Sequence, residues 1–542
     1  MVPRTDGPAL PATRTTLGGA FPLDSEAPAL LAANASYSFR DLASRSASAA
    51  LTLAQLGVRK GTHVGLLLPN GPDWIALAWA VWRLGGVLVP LNTLWSAREL
   101  IRAIDLADVH LLVATPCFLK NDYARLLDSA GVGLTRYDAQ ANFLPCLRTI
   151  VWLPHAPQPN ALSWQQCFSS AVSERQLQWL ESMEEQTTKA DVAAIFFTSG
   201  SEAEPKAVVH THGSMLAAAR GIAERLGLDT SDRVWAYLPW FFAGGLVAGV
   251  IAPWIVGAAV ICQEVFDAGQ AIALMERYRA TTFFAWPHQA QAIVQHPNFA
   301  RGRIPLHKGT GAQADWANAL YQPGHRAVST WGMTETGPMV CATAWSDPIE
   351  KRQTTHGRPL PGVEMKVVDP DSGEQLPPGD EGELLVRGPT LMRGYYKQPR
   401  RTCFDDTGFF RTGDRAWIDD EGYLHFVGRM RDVIKTAGAS VSPAEVEAVV
   451  SAHPVVRTAV VVGVPDLQRG QCVVAFVVPR QQTPLDEAQL TAWCRERLAA
   501  YKVPKHFFLL AEHELPVLGS GKVDKARLVQ RAQELLVSWR ST

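Results

Sequence analysis

Apolar positions along this chain fall into short blocks whose spacing alternates between a helical period and an unbroken run. From Ser38 to Leu56 the apolar residues recur at helical spacing, which predicts an amphipathic helix, and His63–Leu68 reads as a buried strand. Asp73 to Leu84, rich in Trp and Ala, predicts a helix, and Val87–Pro90 a strand. Ser96–Ala107 then reads as a helix and Val109–Ala114 as a strand. This β/α rhythm predicts layers built on parallel sheets. It resumes with strands at Ala193–Phe197 and Ala207–His210, a helix at Ser214–Leu226 and a strand at Val234–Leu238. A helix at Ala268–Tyr278 and a strand at Thr282–Ala285 follow. Asn121 to Lys189 is less regular and carries no nameable chemistry.

Beyond Val363 the pattern turns strand-rich, with Glu364–Val368, Gly382–Val386 and Gly422–Val427 punctuated by Gly and Pro. The last part reads as a compact α/β unit. Ser442-Pro443-Ala444-Glu445 has the form of a capping box with proline at the first helical position, opening a helix to about Ala452. Val455–Val464 and Val473–Val478 read as strands, and Thr483-Pro484 as the start of a helix ending near Ala500. A boundary near Met430 is expected, giving domains 1–430 and 431–542. Gly245 to Cys262 is uncharged and apolar throughout. Pro253 in its middle and Gln263-Glu264 after it predict a buried helix, a break and a core strand at Ala258–Cys262, with no membrane span.

Composition narrows the class. The 542 residues are 47% hydrophobic and 19% charged, enough for more than one core. A net charge of −1 argues against nucleic acid. Eight cysteines without a C-x-x-C pair signal neither a zinc site nor a disulfide framework. Met1 to Phe21 has no apolar core of signal-peptide length. A reducing cytoplasm is the expected compartment.

Between the strands Ala193–Phe197 and Ala207–His210 lies Thr198-Ser199-Gly200-Ser201-Glu202-Ala203-Glu204-Pro205-Lys206. Its hydroxyls and backbone N–H groups suit a polyphosphate, with Lys206 as a mobile cation. The G-x-x-x-x-G-K-[ST] spacing of a P-loop is absent. Trp331-Gly332-Met333-Thr334-Glu335 offers an indole to stack on a flat base. Its carboxylate suits a Mg²⁺ shared with phosphate oxygens. In Arg411-Thr412-Gly413-Asp414 an acid follows a tight turn and suits the two hydroxyls of a ribose. Leu515 to Lys522 sets a lysine on a glycine-flexed loop. Taken singly, each also reads as an ordinary turn, a half-buried tryptophan or a solvated lysine.

In this order and spacing the motifs resemble the adenylate-forming superfamily of acyl-CoA synthetases, peptide-synthetase adenylation domains and beetle luciferases. The pattern is closest to acyl-CoA synthetases, and the likeness runs from about Ser38 to Leu528. The family's phosphate loop, T-S-G-T-T-G-x-P-K-G, falls on Thr198 to Ala207, and its Y-G-x-T-E motif on Trp331 to Glu335. The adenine-contacting G-A is Gly311-Ala312, and T-G-D is Thr412-Gly413-Asp414. G-R-x-[KD]-D-x-I-K-x-x-G runs from Gly428 to Gly438, and the terminal L-P-x-x-x-x-G-K from Leu515 to Lys522.

The resemblance implies an α/β fold. A large multi-layer N-terminal domain would hold parallel sheets and a small β-barrel-like subdomain, and a small α+β C-terminal lid domain would follow. It implies ATP, Mg²⁺ and a carboxylic acid, joined as an acyl-adenylate with loss of pyrophosphate, then transfer to CoA or to carrier-protein phosphopantetheine. ATP would be bound by Thr198, Ser199, Gly200, Ser201, Lys206, Gly311, Ala312, Trp331, Gly332, Met333, Thr334, Asp414 and Arg429. Glu335 would hold the metal, and Thr198, Glu335 and Lys522 would be catalytic, with Lys522 bridging carboxylate and phosphate. Arg431 takes the hinge position, and Gly438 the thiol-acceptor side after the lid rotates.

The chain departs from the family pattern at Glu202 and Ala203, where threonine and glycine are usual, and at Ala207, where the loop closes on glycine. The acyl-site motif, often P-x-F-H-x-x-G, reads Pro239-Trp240-Phe241-Phe242-Ala243-Gly244-Gly245, with Phe242 at the histidine position. The aspartate with which amino-acid-activating relatives pair an α-amine is absent, and an unpaired ammonium there would be costly. Phe241, Phe242, Gly244, Trp286, His288 and Gly309 therefore predict an apolar or aromatic acid of moderate size, although the aromatics also read as ordinary core. The acceptor stays open between CoA, an acyl-carrier protein and a nitrogen nucleophile. An inactive nucleotide- or acyl-binding relative is disfavoured by the joint presence of Lys522, Glu335, Asp414 and Arg429. Monomer and homodimer are both compatible with the sequence.

Overall fold

The computed structural model describes residues 15–129, 144–153, 162–164, 172–199, 205–314, 316–430, 434–480, 486–511, 514–516 and 523–540. The chain forms two compact units. The first takes Met1–Thr93, Ile104–Phe196 and Ala207–Gly428, and the second Leu94–Ala103, Phe197–Lys206 and Arg429–Thr542.

In the first unit the expected β/α rhythm produces two main sheets. At the centre of an eight-stranded sheet, His63–Leu67 pairs in parallel with Val87–Pro90 on one side and Leu111–Ala114 on the other. The helix Phe39–Gln55 starts where the sequence suggests because Ser38 caps it. The Ser38 hydroxyl accepts from the Asp41 N–H at 3.1 Å, and the Asp41 carboxylate accepts from the Ser38 N–H at 2.8 Å. The Trp- and Ala-rich helix Pro72–Arg83 is covered on every face, which is why it lacks a polar stripe. Two of its three indoles are hydrogen-bonded inside the core: Trp79 donates to the Gly18 carbonyl at 2.8 Å and Trp82 to the Ala193 carbonyl at 3.0 Å, while the Trp74 indole N–H has no partner among the described residues.

The six-stranded sheet sets Arg233–Ala236 in parallel between Ala259–Ile261 and Thr282–Phe284, and Lys308–Gly309 follows beside Thr282–Phe284. The starts of these strands are locked by one buried ammonium. Lys308 Nζ donates to the Gly227 carbonyl at 2.7 Å and to Asp232 at 2.8 Å, while Thr281 donates to the other Asp232 oxygen at 2.7 Å. The locked ends leave the carboxyl ends of the same strands for ligands, as in other open α/β sheets.

The apolar run from Gly245 forms the expected buried helix and core strand, but the helix is largely π-wound and does not break at Pro253. The run forms a π-helix at Gly244–Ile251, a short α-helix at Ala252–Ile255 and a strand at Ala259–Ile261. Pro253 causes no break: it lies two residues past the π-helix, and the helix continues through it to Ile255. The wider register takes up the spacing, with the Ala252 N–H reaching the Val247 carbonyl. Among the described residues no helix is long and apolar enough to cross a membrane. Beyond Val363, Glu364–Val368, Gly382–Arg387, Phe410–Ile418 and Leu424–Arg429 build a four-stranded sheet in chain order.

The second unit is an α+β layer with Val456–Asp466 and Gly470–Pro479 as its long antiparallel pair. The capping box expected at Ser442 is only half formed. Ser442 accepts from the Glu445 N–H at 3.4 Å, but the Glu445 carboxylate turns to Lys502 Nζ at 2.7 Å instead of returning to the cap. The helix expected from Thr483-Pro484 to Ala500 runs Glu487–Arg495, because Asp486 is its cap and accepts from the Gln489 N–H at 2.7 Å.

Candidate active site

The motif Trp331–Glu335 is built by tight main-chain packing. Thr330–Trp331 pairs with Cys341–Ala342, and the chain then crosses so close to Pro338 that a Cβ on Gly332 would lie 2.1 Å from the Pro338 carbonyl oxygen. Only glycine fits there. A 3₁₀ turn, Thr334–Thr336, then presents Glu335. Its side chain is 5% exposed, and its Oε1 accepts from the Tyr395 hydroxyl at 2.9 Å. Among the described residues Glu335 has this hydroxyl partner but no cationic one. A buried carboxylate in that state calls for a cation. Magnesium is commonly held by one carboxylate together with substrate phosphates and waters, so Glu335 fits that ion.

Trp331 is 7% exposed, with Phe426 at 6.5 Å between ring centres, so protein covers most of the indole. His356 supports this wall, its Nδ1 accepting from the Phe426 N–H at 3.2 Å. Burial, reinforced by nearby His425, pushes His356 down to about 4. Gly309 ends its strand, and Gly311 and Ala312 follow it. A Cβ on Gly309 would lie 2.2 Å from the Phe283 carbonyl oxygen, and Ala312 is buried.

The tight turn expected just before Asp414 is not formed. Asp414 lies within the strand Phe410–Ile418, where Arg411 faces Leu385 and Arg415 faces Glu383, so the longer side bulges at Gly413. The bulge is held by the Thr412 hydroxyl, which donates to the Leu384 carbonyl at 2.7 Å and accepts from the Asp414 N–H at 3.0 Å. Asp414 is thereby buried, with 3% exposure.

The acyl-site candidates gather beyond the carboxyl ends of neighbouring parallel strands. Phe241 and Phe242 follow Arg233–Ala236, Trp286 follows Thr282–Phe284, and Gly309 ends the next strand. Phe242 lies 4.6 Å from Phe241 and meets Trp286 edge-on at 5.8 Å. Asn70 clamps the segment, accepting from the Trp240 N–H at 2.9 Å and donating to the Leu238 carbonyl at 3.1 Å. Gly244 opens the π-helix, and His288 lies in the helix Pro287–Val294.

In the second unit, Thr198 and Ser199 end the strand Val192–Ser199, and Lys206 lies at the start of Pro205–Thr211. Ala207 lies buried in that second strand at ordinary negative φ, so a loop closing on alanine costs no strain here. Arg429 ends the strand Leu424–Arg429, and Gly438 takes a left-handed φ of 80° in the turn before Ala439–Val441. Gly200, Ser201, Glu202, Ala203, Arg431 and Lys522 lie outside the described residues. Tyr395, His210 and Asn70 support the candidate residues, and no sequence motif marks them.

A model of the AMP-binding enzyme family matches residues 22–396, and one of the AMP-binding enzyme C-terminal domain matches residues 445–522. The chain belongs to the AMP-binding enzyme family. It is 31% identical over 499 residues to a feruloyl-CoA synthase of an Amycolatopsis species, covering 91% of this chain and 93% of that one. It is 30% identical over 503 residues to the medium-chain fatty-acid–CoA ligase of Escherichia coli, covering 91% and 85%. Among solved structures it is similar to the amide bond synthetase McbA of Marinactinospora thermotolerans. There the TM-score is 0.79 at 27% identity, over 95% of this chain and 99% of that one. This AMP-binding enzyme is thus adenylate-forming, with mixed α/β architecture, parallel sheets, a large N-terminal domain and a smaller C-terminal one.

Proposed function

We propose that the chain activates a non-amino carboxylic acid with ATP, giving an acyl-adenylate and pyrophosphate, and then passes the acyl group to CoA. The observation that carries this reading is the aromatic wall. Phe241, Phe242 and Trp286 pack ring against ring, and the segment Pro239–Gly245 holds no carboxylate to pair an α-amine. An apolar or aromatic acid of moderate size suits such a surface. Glu335 would hold Mg²⁺, which when bound neutralises phosphate charge. Thr198, Ser199, Gly200, Ser201 and Lys206 would bind the phosphates, Gly311, Ala312 and the Trp331–Thr334 stretch the base, and Asp414 and Arg429 the ribose. The domain division near residue 430, with Arg431 as hinge and Gly438 on the thiol side, belongs to the same proposal. The test is pyrophosphate release over a panel of acids, followed by product mass with and without CoA. Release with no acid in the panel would sink the reading.

Similarity to an amide bond synthetase favours one second reading, transfer to a nitrogen nucleophile. The same assay with amines added separates the two by product mass.

Replacing Phe242 with alanine removes the ring between Phe241 and Trp286. The expected result is a KM for the preferred acid raised about tenfold, in keeping with about 1–3 kcal/mol for lost apolar contact, with a smaller change in kcat. An unchanged KM would mean that the acid binds elsewhere.

A further inference from the structure

The turn that presents Glu335 is pinned at three points. His210 Nε2–H donates to the Thr334 carbonyl at 2.7 Å, the Met392 N–H donates to the Glu335 carbonyl at 2.8 Å, and the Tyr395 hydroxyl donates to Glu335 Oε1 at 2.9 Å. His210 and Tyr395 come from paired strands, with Val208 opposite Tyr395 and Val209 opposite Gly394. A carbonyl only accepts, so the His210 proton sits on Nε2, and Nδ1 faces the Ser214 hydroxyl at 3.0 Å. The main chain on both sides of Glu335 is therefore fixed, and one carboxylate oxygen is already engaged. Among the described residues, Oε2 has no hydrogen-bond partner.

We infer that Tyr395 is a positioning residue that makes Glu335 a one-oxygen metal ligand, and that this selects Mg²⁺ over Ca²⁺. Mg²⁺ takes a compact octahedral shell and keeps several waters, so one carboxylate oxygen suffices. Ca²⁺ accepts more ligands at longer distance and is well served by a bidentate carboxylate, which the Tyr395 hydroxyl disfavours by holding one lone pair of Oε1. The neutral hydroxyl leaves the carboxylate its full charge for the cation. The inference rests on the reading that Glu335 holds the metal.

The test is titration calorimetry of Mg²⁺ and of Ca²⁺ into the full chain saturated with α,β-methylene-ATP, for wild type, Tyr395→Phe and Glu335→Gln. Tyr395→Phe keeps the ring and loses only the hydroxyl. Its Mg²⁺-over-Ca²⁺ affinity ratio is expected to fall about tenfold, the size typical of losing a partner behind a metal ligand, with affinity for the analogue at saturating Mg²⁺ unchanged within about twofold. An unchanged ratio in Tyr395→Phe, with both ions weakened in Glu335→Gln, would overturn the inference and leave the metal reading standing. Mg²⁺ binding unchanged in Glu335→Gln would overturn the metal reading and the inference with it. If Tyr395→Phe does not fold, 2,3-difluorotyrosine at position 395, a stronger hydroxyl donor, is expected to widen the ratio. No change there would equally overturn it.

Discussion

Replacing Lys522 with alanine is expected to lower acid-dependent pyrophosphate release from ATP on the order of 10²–10³-fold while ATP still binds. In the proposed reaction a carboxylate must approach the α-phosphate, so two anions are forced together. A lysine placed between them neutralises both and aligns the attack, an interaction stronger in the transition state than with either substrate alone. The expected loss is what removing one preorganised donor costs. ATP affinity depends on the phosphate loop, the base contacts and the metal, so it should change little. The second half-reaction, started from synthetic acyl-adenylate and CoA, should survive. Pyrophosphate release equal to wild type would show that another group carries this role. Equal loss of both half-reactions would point instead to a folding defect.

Local signals made most of the scaffold readable. The helix Phe39–Gln55 was legible because its cap, its first-turn acid and its apolar stripe all agree within one stretch. Parallel strands such as His63–Leu67 were legible as unbroken apolar runs because layers cover both faces. Readings failed where a distant residue outweighed a local rule. Glu445 follows the capping-box spacing, yet Lys502, 57 residues on, takes its carboxylate. The Asp414 motif looked like a turn because Gly413 follows Thr412. Pairing with Gly382–Arg387 made it a bulge within a strand. The π-helix was invisible, since helical registers differ by less than apolar periodicity resolves. Around the site, the motif residues were legible and their supports were not. Tyr395 reaches Glu335 across 60 residues with a single hydroxyl, a contact that neither composition nor spacing announces.

Acidification should unfold the first unit steeply between about pH 6.5 and pH 4. Three histidines there carry most of the effect, and burial lowers His63 and His325 in the same direction. Burial pushes His210, His212 and His356 from the usual 6.5 down to about 4. Geometry gives an independent reason for two of them. His212 Nδ1 accepts from the Leu17 N–H at 3.1 Å and His356 Nδ1 from the Phe426 N–H at 3.2 Å, so protonating either nitrogen destroys a hydrogen bond to the main chain. Because the folded values lie below the unfolded ones, the unfolded chain binds these protons first as pH falls. Stability is fully present above about 6.5 and drains away toward 4. Each group costs about 1.4 kcal/mol per pH unit inside that window, so three together cost about 4 kcal/mol per unit, large against a typical folding free energy. The measurement is denaturant unfolding followed by tryptophan fluorescence at pH 7.5, 6.5, 5.5 and 5. His356→Asn, which offers the Phe426 N–H another acceptor, should remove about a third of the slope. Stability that stays flat from pH 6.5 to 5 would mean that these imidazoles take up protons in the folded chain. The neutral states assigned to His212 and His356 would then be wrong.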